Sequence, residues 1–66
     1  MTYYEISKHF YDSEEVHNYG GGYTAEDVKQ IMKGLKKETL DFDPLTTFYT
    51  RRNMKYFYIV NEYNAE

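Results

Sequence analysis

Apolar positions recur along this chain with more than one period. Over residues 24–37, Val28, Ile31, Met32 and Leu35 fall at i, i+3, i+4 and i+7, which is one stripe of an amphipathic helix. Thr24 is a good N-cap, and Glu26 and Asp27 lie in the first turn, where the helix dipole favours carboxylates. Asp27 takes the capping-box position usually held by Glu or Gln. Lys36 and Lys37 then fall at the C-terminal end of the predicted helix. Gly34 costs such a helix about 1 kcal/mol relative to alanine and permits a close approach to a sheet.

Over residues 45–62 the pattern becomes almost solidly aromatic and aliphatic on either side of Arg52-Asn53. This reads as a hairpin with strands at 45–51 and 54–62 and a two-residue turn in which Asn53 accepts positive φ. That register sets Tyr49 opposite Tyr56, Thr47 opposite Tyr58 and Leu45 opposite Val60 on one face. Phe48 then meets Phe57, and Thr46 meets Ile59, on the other face. A slip of one residue would exchange the faces. Pro44 cannot donate within a ladder and so marks the start of the hairpin. Leu40 and Phe42, in the preceding turn, are expected to tuck under the helix.

Residues 2–11, TYYEISKHFY, fit two templates. Tyr4, Ile6 and Phe10 alternate as in a strand, interrupted by Lys8, whereas Tyr3, Ile6 and Phe10 make a helical stripe. The β-branched and aromatic content favours the strand. Residues 12–22, DSEEVHNYGGG, read as a connection whose glycine run is a flexible break. The fold class expected is α+β, in a single domain over residues 1–66. Its core is a small three-stranded antiparallel sheet with one helix packed on one face, in the order β-α-β-β. The alternative makes residues 3–17 helical and gives two helices followed by a β-hairpin.

A helix of about three turns covers only one face of such a sheet, yet both faces here are apolar. Phe48, Phe57 and Ile59 lack hydroxyl groups, so their face is assigned to the helix. The face with Tyr49, Tyr56 and Tyr58 is left open, and Tyr49, Arg51, Met54, Tyr56 and Tyr58 become the candidate binding residues. Composition strengthens this choice, because nine of the aromatic residues are tyrosine. Tyrosine buries a large ring while its hydroxyl reaches a wet rim, and Tyr, Met and Arg are enriched at protein interfaces. A chain of 66 residues without cysteine has no disulfide to compensate for a small core. A homodimer through the tyrosine face is therefore expected.

Charge narrows the partners. The net charge is −3, which disfavours generic phosphate binding. Residues 1–23 carry Glu5, Asp12, Glu14 and Glu15 against Lys8, while residues 44–66 carry Arg51, Arg52 and Lys55 against Glu62 and Glu66. No apolar run is long enough to span a membrane and no signal-peptide pattern occurs, so a cytoplasmic location is expected.

The sequence offers little chemistry. His9 and His17, near Asp12, Glu14 and Glu15, form a solvated acidic loop rather than a metal site. YGGGY lacks the Lys and Ser/Thr of a phosphate loop. Asp41 and Asp43 are turn residues, and no Ser or Cys has a positioned base. No cofactor, no metal and no enzymatic activity are expected. The function expected is a small protein-binding module. A regulator or inhibitor of the kind carried by mobile elements would present Glu14, Glu15, Glu26, Asp27, Asp41 and Asp43 as complementary charge. The alternative is single-stranded nucleic-acid binding, with bases stacked on the tyrosine face and Arg51, Arg52 and Lys55 at one end.

Overall fold

The computed structural model describes residues 1–64; Glu66, counted in the charge tally, lies outside the described residues. Five antiparallel strands form one sheet, with a single short helix against it. The chain runs β1 (Thr2–Phe10), β2 (Val16–Asn18), α1 (Ala25–Ile31), β3 (Lys36–Leu40), β4 (Asp43–Thr50) and β5 (Tyr56–Asn64), and the strands lie in the order β2-β1-β5-β4-β3. The expected three-stranded α+β arrangement is overturned, and so is its alternative of two helices before a hairpin. Residues 2–10 are strand, and two strands appear where no strand was expected.

The first of these is β2. Residues 16–23 run alongside β1 instead of forming a free connector: Tyr19 N–H donates to the Ile6 carbonyl at 3.0 Å, Ile6 N–H donates to Gly20, and Tyr4 and Tyr23 exchange backbone bonds. The glycines serve this close approach. A Cβ on Gly21 would stand 2.8 Å from Tyr63 Oη, and the same hydroxyl accepts the Gly22 N–H at 2.8 Å.

The second is β3, formed from residues assigned above to the helix end and the turn after it. The helix has only 7 residues, with Met32 as its C-cap. Gly34 at φ 86° takes the left-handed conformation that ends helices, which releases Lys36 and Lys37 into a strand. The helix N-terminus is as expected: Thr24 Oγ1 accepts the Asp27 N–H at 3.2 Å and the Asp27 carboxylate accepts the Thr24 N–H at 3.0 Å. Phe42 does not tuck under the helix; it is 86% exposed in the β3–β4 turn.

The β4–β5 hairpin has a longer turn than expected, and its register differs by two residues. Tyr49 pairs with Tyr58, Thr47 with Val60, Phe48 with Ile59 and Thr46 with Asn61. Asn53 does adopt positive φ, 70°. A shift of two preserves the faces, so Tyr49, Tyr56, Tyr58 and Val60 share one face and Phe48, Phe57 and Ile59 the other. The helix, however, lies on the tyrosine face. Its Val28 and Met32 bury against Ile6 of β1 and Val60 of β5, with Tyr4, Tyr23, Leu35, Tyr49 and Tyr58 packed around them. Slender aliphatic side chains at the directly paired positions Ile6 and Val60 let the helix settle between flanking rings.

This core is small, and its four buried residues should dominate stability. Ile6→Ala and Met32→Ala are each expected to cost about 2–5 kcal/mol in urea unfolding. Leu35→Ala, at a half-buried site, is expected to cost less. Equal losses at Leu35 and Met32 would show that the core extends past the helix end.

Candidate binding surfaces

Alternation along the strands creates two unlike surfaces. On the helix side, the short helix leaves the sheet uncovered on both flanks. Towards β3 and β4 there is a groove of about 590 Å³ with Val28, Met32, Leu35, Leu45, Tyr49 and Val60 among its apolar lining, and with Lys29, Lys33 and Lys37 also lining it. The Tyr4 hydroxyl donates to Glu62 Oε1 at 3.2 Å in the same groove. On the other flank Ile6, Tyr19, Tyr23, Ile31 and Tyr58 line a smaller hollow of about 210 Å³.

Beyond the helix, towards the hairpin tip, lies an aromatic ladder. Lys8 Nζ stands 4.0 Å from the Tyr56 ring centroid and 5.3 Å from that of Phe10, within the range of cation–π attraction. Tyr56 and Tyr58 pack edge-on at 5.7 Å, and Phe10 meets the His17 ring at 5.3 Å.

The helix-free face carries the second surface. His9 stacks on Phe57 at 5.3 Å, Tyr11 leans on Phe57 at 5.0 Å, and Phe48 meets it edge-on at 6.0 Å. Ile59 pairs with Ser7 beside them. Among the described residues no element packs over this cluster, which borders a shallow depression lined by Tyr11, Glu38, Phe48, Thr50 and Phe57. At the far end, Tyr3 and Tyr63 lie 6.3 Å apart.

The residues singled out from sequence are dispersed by this arrangement. Tyr49 and Tyr58 are directly paired and pack against the core. Tyr56 belongs to the ladder under Lys8. Met54 is half-buried in the hairpin turn, where its N–H donates to the Arg51 carbonyl, and the Arg51 side chain is exposed. Three of the acidic candidates have local roles: Asp27 caps the helix, Asp43 accepts from Leu45 N–H and the Thr46 hydroxyl, and Glu15 meets His17 at 3.0 Å.

Sequence reasoning missed the Ser7–His9 contact, in which Ser7 Oγ and His9 Nε2 are 2.9 Å apart. The i, i+2 spacing on one strand face was the available signal. Nucleophilic catalysis further needs a group that orients the base and N–H donors for an oxyanion. On this face the imidazole lies flat against Phe57. Among the described residues no cluster of three or more metal-ligating side chains occurs, and no helix is long and apolar enough to cross a membrane.

Compared with protein-family models, with curated proteins and with solved structures, the chain matches none.

Burial sets the electrostatics of the helix side. It raises the Tyr49 hydroxyl above its ordinary pKa of 10.0. Burial, then the hydrogen bond to Glu62, does the same for Tyr4, and burial followed by the neighbouring tyrosines for Tyr58. Groups whose pKa is raised on folding contribute stability that is complete below the unfolded value and is lost as pH rises through the folded value. The contribution of these tyrosines to stability should therefore hold up to about pH 10, the unfolded tyrosine value, and be lost above it, lowering the melting temperature there. Tyr49→Phe should blunt that fall in a series of alkaline melts.

Proposed function

We propose that this chain is a non-enzymatic protein-binding module that works as a homodimer, with the helix-free face as the surface between the two copies. The observation that carries this reading is the uncovered cluster of His9, Tyr11, Phe48, Phe57 and Ile59. Surface area supports it. A folded monomer of 8.0 kDa exposes about 4,450 Å² by the usual scaling, and this chain exposes 5136 Å². The excess, roughly 700 Å², is close to the about 800 Å² that one partner buries in an interface of standard size. Among the described residues only four are buried in the core, so a second layer of packing has much to add. A two-fold axis sets one patch against its own copy, and the aromatic cluster then becomes the centre of a four-layer stack of helix, sheet, sheet and helix.

The dimer reading moves the expected interface from the tyrosine face to the opposite one and leaves the helix side free for another protein. Binding without chemistry suits a regulator or inhibitor. A second reading, single-stranded nucleic-acid binding, has one observation in its favour: the ladder of Lys8, Phe10, Tyr56 and Tyr58 offers stackable rings beside a cation.

Light scattering tests the dimer. The parent should run as a dimer, and Phe57→Glu or Ile59→Lys as a monomer that still melts cooperatively, while Tyr56→Glu, on the opposite face, should stay dimeric. A monomeric parent would sink the reading. For nucleic acid, anisotropy with a labelled oligonucleotide decides: no binding at low salt eliminates it, and binding that is lost in Tyr56→Ala and falls steeply with salt upholds it.

A further inference from the structure

The groove between α1 and the β3–β4 half of the sheet has features that the dimer does not use. Its apolar lining includes Leu35, Leu45 and Tyr49, which stay at least partly exposed, beside the buried core residues Val28, Met32 and Val60. Leu45 is 53% exposed although it lies next to that core. The volume of about 590 Å³ falls within the roughly 300–1,000 Å³ of sites that enclose ligand groups. Lys29, Lys33 and Lys37 line the groove against one carboxylate, Glu62, so an acidic chain has here a local excess of positive charge.

Lys29 lies in the last turn of the helix, and Lys33 and Lys37 lie beyond its end. Among the described residues none of the three lysines has a carboxylate within ion-pair distance; Lys36 does, at 3.6 Å from Glu38. Glu62 is engaged by the Tyr4 hydroxyl rather than by a lysine.

We infer that this groove receives an acidic amphipathic segment of a partner protein, with one or two apolar side chains against Leu35, Leu45 and Tyr49 and flanking carboxylates on Lys29, Lys33 and Lys37. The three lysines select an acidic ligand, and the apolar side chains beside them select side chains rather than phosphates. The inference rests on the reading of the chain as a protein-binding module and names the partner's chemistry.

The test uses the full chain and a fluorescein-labelled peptide of alternating glutamate and phenylalanine, with a lysine-for-glutamate peptide as control. The acidic peptide should bind and the basic one should not, with affinity falling as salt rises. Lys29→Glu combined with Lys33→Glu should weaken binding about tenfold or more, and Leu45→Asp should also weaken it. Both variants change exposed positions, and their melting curves establish that they fold. Affinity unchanged in both folded variants overturns the inference. Displacement of the peptide by dodecanoate would assign the groove to a small anionic amphiphile and would equally overturn it. Light scattering on the same samples separates the two proposals: a monomer that binds the peptide defeats only the dimer, and a dimer that ignores it defeats only the groove.

Discussion

The pairing of Ile6 with Val60, at the centre of the sheet, is the contact on which the fold depends. These two aliphatic side chains share the strand pair β1–β5 and the face towards the helix, and Val28 and Met32 close over them. The first strand and the last are thereby joined, and this pairing of high sequence separation carries a cost of chain closure that the local hairpins do not. The helix, too short to persist alone, is held by the same four side chains.

The same constraint explains why both sheet faces are apolar. A helix of two turns shields little more than the Ile6–Val60 pair, so the tyrosines beside it supply the remaining packing with their rings, and burial reaches their hydroxyls as well. The opposite face has no helix, and its aromatic residues satisfy one another by stacking on Phe57. Each face has a partial solution, and the two partial solutions leave different kinds of surface: a charged groove beside a helix, and a flat patch of rings.

Much of this was legible where the local signal and the tertiary outcome agree. Thr24 and Asp27 announced the helix start because capping is a contact between near neighbours. The sharing of a face by Tyr49, Tyr56 and Tyr58 was legible because side-chain alternation survives any even shift of register. The register itself was not, since Arg51 to Lys55 permit more than one turn length. The helix end was hidden because Leu35 continues the apolar stripe past Gly34, and only the backbone shows that Gly34 has turned left-handed. Lys36 and Lys37 then looked like helix-terminal cations instead of the start of an edge strand. The side chosen by the helix was also illegible, because it depends on how slender Ile6 and Val60 are relative to the rings around them. For the same reason the candidate residues did not gather into one site: two of them belong to the core.

The two outermost strands have a further consequence. β2 is three residues long and gives way to glycines, while β3 begins with two lysines and has a register irregularity between Thr39 and Leu40. Short length, lysine and bulges are the devices by which natural sheets resist edge-to-edge pairing. A sheet guarded at both margins does not extend sideways into a ribbon. Contact through a face can occur once and then is used up, so this molecule can hold a large share of exposed aromatic surface and still form a particle of finite size rather than a fibre.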